Sequence, residues 1–448
     1  MKLTFKLVLL LAAFFIVSFK VNAQEGKVTF SLDEALQYAT QHSYVLQNSK
    51  KDITIAEKKV WETISIGLPQ VSGSANYNAF LNLPVTLLPG EFFGGEPGTY
   101  VPVKFGQDFS SDFGLSVNQL IFDGSYIIGV GSVQLYVNLS KQRYEKTAID
   151  IREAVTQAYY LVLIGERYKA VMEDNLRNVE KTYRETKIMY ENGFREEQDV
   201  EQIQLVLRNA ESEVSKADRE VKISKTVLKY TMGYNIETDI QLTDEIEKFL
   251  QPLEAKQNSS QFDFSNHIDY RLAASNFEVS EKLLGIEKVE YLPKLNGFYS
   301  YSKNAYGNDA NLFNSKTSWY PSSLVGLQMT LSIFNSGQKR SKVQQAKIEV
   351  EKAENDVLLT EQTLQKDYLT AVAQMESALE TFDNDKENRE LAERIRTKTK
   401  IKFDNGMSTS TELTQIENQY IDAYRALVNS TLQLLQADLK LKKATGSL

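Results

Sequence analysis

The sequence predicts a mixed fold in which a membrane β-barrel continues into an α-helical coiled-coil barrel, built from one module present twice. Three observations carry this prediction. The chain repeats itself at long range, segments of period two alternate with heptads, and proline is absent between Ser125 and Tyr190 and again between Gln338 and Phe403.

The repeat comes first. GLPQVSGSANYN at 67–78 returns as YLPKLNGFYSYS at 291–302, with Leu68-Pro69 over Leu292-Pro293. GLSVNQLIFDG at 114–124 lies over GLQMTLSIFNS at 326–336, and Tyr190-Glu191-Asn192-Gly193 lies over Phe403-Asp404-Asn405-Gly406. The offset shortens once, between the first two anchors, which places the extra length in residues 81–110. That stretch holds four of the eight prolines and is expected to be a loop. Each copy is far longer than a solenoid repeat, so a whole module has been duplicated.

Residues 1–23 carry Lys2, Lys6, an apolar run from Leu7 to Val17 and the small-residue pattern Val21-Asn22-Ala23. This is the pattern of a secretory signal peptide with Gln24 as the expected mature start. The run is about 11 residues long, against the ~20 that a spanning helix needs. The expected organisation is therefore a signal peptide (1–23), a first module (24–230), an inter-module segment (231–266) and a second module (267–448). Each module contains a helix, a β-hairpin (70–122 or 294–335) and a long helical hairpin.

The helices follow from a strict 3,4 spacing. Val200, Ile203, Leu207, Ala210, Val214, Ala217, Val221, Ser224 and Leu228 have counterparts from Leu413 to Leu441 in the same register, and a further seam runs from Val343 to Phe382. Heptads in register, found twice, indicate coiled-coil packing. An uninterrupted helix spanning either proline-free stretch would be roughly 100 Å long and needs neighbours along its length. Gly193 and Gly406 each end one such helix and start a tight turn into the next.

The strands follow from period two. Val71, Gly73, Ala75 and Tyr77 alternate with Ser72, Ser74, Asn76 and Asn78, while Val325, Leu327, Met329, Leu331 and Ile333 alternate with Gly326, Gln328, Thr330 and Ser332. Segments of about ten residues, apolar outward and small-polar inward, fringed by Phe80, Phe122, Tyr306, Trp319, Tyr320 and Phe334, are the pattern of membrane barrel strands. Four strands cannot enclose an aqueous lumen, and open edges are not tolerated in lipid. Several chains must share one barrel, though the spacing does not set their number.

Composition narrows the function classes. The 448 residues include no cysteine and two histidines, which excludes disulfides, thiolate metal sites and a cysteine nucleophile and leaves little for a histidine metal centre. A net charge of −8 argues against a nucleic-acid partner. No phosphate loop or nucleophile elbow stands in a convincing context, so neither an enzyme nor a cofactor or metal is expected. His42 and His267, at the starts of helical stretches, read as surface residues, and all eight prolines are expected in loops, strand approaches or the inter-module segment.

In its duplicated module, its Leu-Pro before each β-hairpin, its aromatic-x-x-Gly turns and its closing Ala444-Thr445-Gly446-Ser447-Leu448, the chain resembles the TolC-like outer-membrane efflux proteins. The resemblance covers almost everything from about Phe30 onward. It implies a homotrimeric channel-tunnel with a 12-stranded barrel in the outer membrane and a helical tunnel through the periplasm. It further implies a passive conduit in a tripartite efflux pump, whose partners are a periplasmic adaptor (membrane fusion protein), an inner-membrane transporter and outer-membrane lipid.

By the same resemblance the turns at Asn192, Gly193, Asn405 and Gly406 dock the adaptor, and Tyr190, Asp199, Phe403 and Glu412 are candidates for the tunnel constriction. Phe403 and Ser408, where the first copy has Tyr190 and Arg195, depart from the pattern that latches the tip closed. Asp199 and Glu412 also read as ordinary acids favoured by the dipole of a helix N-terminus. Two other functions stay open: an outer-membrane channel for type I protein secretion, and a soluble periplasmic coiled-coil adaptor or scaffold.

Overall fold

The computed structural model describes residues 28–254 and 262–448. The expected signal peptide and part of the inter-module segment lie outside the described residues. In chain order the elements are β1 (Val28–Phe30), α1 (Leu32–His42), α2 (Tyr44–Ser65), β2 (Gln70–Ala79), β3 (Val85–Pro89), β4 (Tyr100–Lys104), β5 (Phe109–Phe122), α3 (Gly124–Glu191) and α4 (Glu197–Met232). After these come β6 (Ile240–Leu242), α5 (Glu247–Glu254), α6 (Ile268–Val289), β7 (Lys294–Gly307), β8 (Trp319–Thr330), α7 (Gln338–Asp404) and α8 (Ser410–Ala444).

Helices α3 and α7 run for 68 and 67 residues, about 100 Å each. Helix α4 packs antiparallel on α3, and α8 on α7. Every heptad position from Val200 to Leu228 and from Leu413 to Leu441 is buried or half-buried, as the 3,4 spacing requires. Other helical faces leave large apolar side chains in solvent, among them Trp61, Leu205, Ile223, Tyr230, Leu359 and Leu369. A single chain therefore leaves part of its helical surface uncovered.

The main core lies where the two hairpins meet α1, β1, β6 and α5. Tyr159, Leu228, Met232, Ile240, Leu434 and Leu435 are fully buried there. The Tyr159 hydroxyl donates to Asp244 Oδ2 at 2.9 Å, and the same oxygen accepts from the Leu32 N–H at 2.7 Å, pinning the inter-module segment to the start of α1. Burial, reinforced by the Asp244 carboxylate, pushes the Tyr159 hydroxyl up in pKa, and burial, reinforced by the Asp438 charge, raises neighbouring Tyr160 to about 12. Gly233 closes α4 with φ +74°. A Cβ there would stand 2.6 Å from the His42 carbonyl oxygen, so only glycine fits this junction.

Strands β2, β5, β7 and β8 form one antiparallel sheet in the order β2-β5-β7-β8, in which the two hairpins meet along β5 and β7. One face carries Val71, Ala75, Phe113, Leu115, Val117, Tyr299, Val325, Leu327 and Met329. The other carries Ser72, Ser74, Asn76, Asp112, Ser116, Ser300, Ser302 and Gln328. The polar face is laced by Ser72–Ser116 (2.7 Å) and Asn76–Asp112 (3.0 Å) hydrogen bonds. Among the described residues both outer strands, β2 and β8, have an unpaired edge.

Four expectations need correction. Residues 81–110 are not a plain loop, because β3 and β4 pair there as a separate antiparallel ribbon. YVPVK alternates in exposure and VTLLP pairs with it along its whole length, despite the prolines. Pro89, Pro102 and Pro321 consequently lie within strands, all in two-stranded or edge positions where a missing N–H is tolerated. Strand β8 ends at Thr330, leaving Leu331 and Ile333 beyond the ladder, because its partner β7 begins only at Lys294. Finally, His42 ends α1 rather than starting a helix, and His267 is buried. The His267 Nδ1 accepts the Asp269 N–H at 3.2 Å as the N-cap of α6, and its Nε2 lies 3.2 Å from the Lys443 carbonyl oxygen.

Candidate functional site: the tip turns

The two long hairpins turn with one geometry. Gly193 and Gly406 adopt φ +80° and +73°. The glycine N–H bonds back to the carbonyl of Tyr190 or Phe403 at 2.9 Å, and the following N–H bonds to Met189 or Lys402 at 2.8 Å. The Asn192 and Asn405 amides donate to the carbonyls of Ile188 and Ile401, each at 2.7 Å. Nothing lies within 4 Å of a Cβ built on either glycine, so the requirement is for the left-handed backbone alone.

The side chains then diverge. In the first turn, the Arg195 guanidinium lies 4.2 Å from the centre of the Phe403 ring and donates from Nη2 to the Phe403 carbonyl, joining the first turn to the last turn of α7. Phe403, 2% exposed, packs with Ile203, Leu413 and Tyr183. In the second turn, Ser408 donates to the Glu412 carboxylate at 2.7 Å and Thr409 accepts the Glu412 N–H at 3.1 Å. A second tie between the hairpins runs from Ser410 and Thr411, whose hydroxyls donate to Gln202 Oε1 at 2.5 and 3.1 Å.

Of the sequence-derived candidates, Phe403 is therefore held inside the tip. Tyr190 is exposed, and its hydroxyl meets no partner among the described residues. Asp199 and Glu412 occupy equivalent places, three residues into α4 and α8. Asp199 accepts the Glu196 N–H at 3.3 Å, and both acids therefore serve their own helix starts.

Sequence reasoning missed Phe194 and Met407. Each directly follows its turn glycine, and they are 80% and 70% exposed. Their equivalent positions in the repeat were the available signal, since an apolar residue just past such a turn ordinarily packs back on the helix.

Above the tips, a groove of about 720 Å³ opens between the hairpins beside α5, lined by Arg167, Phe382, Arg389, Arg396, Tyr420 and Tyr424. At its edge Arg396 donates from Nε to both Glu417 oxygens (2.9 and 2.8 Å) and from Nη2 to Asn175 (2.6 Å), and it stacks over Tyr420. This pair, in which Glu417 is buried and Arg396 half-buried, ties α7 and α8 to α3.

A family model described as outer membrane efflux protein matches residues 35–234 and 265–447. No curated protein matches the sequence. Solved structures share the fold at low identity. The Campylobacter jejuni CmeC outer membrane channel aligns with a TM-score of 0.71 at 16% identity, over 93% of this chain and 85% of that one. The Vibrio cholerae outer membrane protein VceC gives 0.68 at 17% identity, over 93% and 96%. The open state of the Neisseria gonorrhoeae MtrE outer membrane channel gives 0.67 at 16%, over 93% and 88%.

Proposed function

Because the chain belongs to the outer membrane efflux protein family, we propose that three copies close one twelve-stranded barrel, with β8 of each pairing to β2 of the next. The observation that carries this reading is the pair of unpaired edges on a sheet whose two faces are already sorted into apolar and polar. Lipid does not tolerate an open edge, and closure among copies removes it. The uncovered apolar residues on the helices fit the same arrangement, because each hairpin then meets a neighbour's.

In this assembly the helices form a tunnel, and the protein is a passive conduit driven by a partner. The exposed Phe194 and Met407 beside Gly193 and Gly406 suit a periplasmic adaptor, since apolar anchors at the end of a rigid turn concentrate binding energy. The adaptor in turn connects to an inner-membrane transporter. The Arg195–Phe403 and Gln202–Ser410 ties hold the hairpins together at the tip, and opening requires them to separate. In three copies Asp199 and Glu412 would form rings of acid that favour cations.

Single-channel recording in planar bilayers tests the conduit. The protein should conduct with a preference for cations that falls when Asp199→Ala and Glu412→Ala are combined. An unchanged preference removes the acids from the gate. Recovery of the protein in the soluble periplasmic fraction without detergent contradicts the channel itself.

A further inference from the structure

We propose that the apolar face of the sheet holds a binding site for an anionic, acyl-chain lipid, with Lys303 receiving the head group. The inference rests on the barrel reading above, in which that face meets the membrane.

Along this face the four strands present Val, Leu, Ala, Met and aromatic side chains, and Lys303 is its one charged group among the described residues. Register places Lys303 beside Phe113 on β5 and Pro321 on β8. Lys303 is exposed and takes part in no ion pair or hydrogen bond among the described residues. A lysine aimed at hydrocarbon is costly at mid-membrane and tolerated near the head groups, so its depth matters.

The surrounding aromatics set that depth. Phe113, Phe313 and Trp319 form a cluster with ring centroids 5.2–6.1 Å apart. The Tyr77 hydroxyl donates to the Ala310 carbonyl at 2.7 Å, drawing the β7–β8 connection across the same face. Such a collar marks the membrane–water interface, at the end of the sheet away from the helices.

The same place is concave. A shallow groove of about 610 Å³ runs over the small residues Gly73 and Ala75 and is bordered by Phe113, Tyr301, Lys303 and Trp319. Its floor and walls suit an acyl chain, and the ammonium at its border suits a phosphate. A head group that carries its own cation gains less from Lys303 than one with net negative charge, which makes the site selective for anionic lipid.

The sequence contains two tryptophans, Trp61 and Trp319, so Trp61→Phe leaves Trp319 as a reporter beside the groove. This protein is reconstituted into phosphatidylcholine vesicles containing, at equal fractions, either brominated phosphatidylcholine or brominated phosphatidylglycerol. Both labels should quench Trp319, with the anionic one about fivefold more effective, the ratio one lysine near the surface supplies. Lys303→Gln should bring the ratio to one while quenching by phosphatidylcholine persists, and Lys303→Arg should keep the preference. Equal quenching in the protein that retains Lys303, or an unchanged ratio in Lys303→Gln, overturns the lipid site and leaves the barrel standing. Absence of quenching by either lipid overturns the site together with the barrel.

Discussion

Hairpin α3–α4 and hairpin α7–α8 are copies of one design with the same apolar seam, yet their polar ties are of different kinds. In the first, Asp218 on α4 accepts from Lys169 on α3 at 2.6 Å and pairs with Lys222 at 2.7 Å, all three at least partly exposed. The repeat places Phe382 and Thr431 at the positions of Lys169 and Asp218, so the second hairpin lacks this triad. It has instead the Arg396–Glu417 pair, with Glu417 buried and Arg396 half-buried, where the first copy has Tyr183 and Gln204. The seam is common to both copies, while these polar ties stand about four helical turns apart along the hairpin. Solvent screens the first, whereas shelter from solvent strengthens the second, so losing one partner should have very unequal consequences.

The largest effect is expected from Glu417→Ala, which strands the Arg396 charge among Tyr420 and Asn175. It should cost roughly 3–5 kcal/mol, read as a lower thermal midpoint of the helical circular-dichroism signal. Replacing both partners by leucine should recover only part of that loss, because it removes the unpaired charge but takes the donor from the buried Asn175 amide oxygen.

Next come the turns, where the copies are alike. Gly193→Ala and Gly406→Ala should each cost about 1–2 kcal/mol, since both backbones are left-handed and neither site is crowded. A clear inequality between them in thermal unfolding would break the equivalence of the turns. Third, Arg195→Ala should lose a contact of about 0.5–1 kcal/mol and speed hydrogen exchange in the last turn of α7. Ser408→Ala should leave that exchange unchanged, because its bond to Glu412 stays within its own helix start.

The smallest effect is expected at Asp218, and it depends on pH. Hydrogen bonds from Lys169 and then Lys222 hold its carboxyl at about 2, below the ordinary 3.8. A depressed carboxylate stabilises the fold above its unfolded pKa and loses that contribution as pH falls through the folded one. The chain and Asp218→Asn should therefore differ slightly at neutral pH and converge near pH 2 in acid unfolding.

Legibility followed range. The seams were readable because a heptad is a local period, and the strands because alternation is local too. Leu228 and Leu434, both fully buried, were visible as seam residues in the sequence. The Arg195–Phe403 bond joins residues 208 apart, and Arg396 reaches Asn175 across 221, distances over which no periodicity pairs two side chains. At Phe403 the sequence shows a departure from the latch pattern, whereas the ring and the carbonyl are both met by an arginine from the other hairpin. His267 was misread because a histidine at a helix start resembles any polar surface residue until its partners are placed. The ribbon in 81–110 was masked by its prolines, which are permitted there because each strand has only one neighbour.

Closure of the barrel between β8 and β2 of neighbouring copies is the central claim, and the absence of cysteine makes it directly measurable. Ser74→Cys on the polar face of β2 is combined in turn with Ser322→Cys, Leu324→Cys or Gly326→Cys on the same face of β8, and the detergent-purified protein is oxidised and run on denaturing gels. A cross-linked ladder that ends at three chains is expected for at least one of these pairs. No cross-link for any of the three pairs, or a ladder that continues past three, rules out closure of three chains in this way.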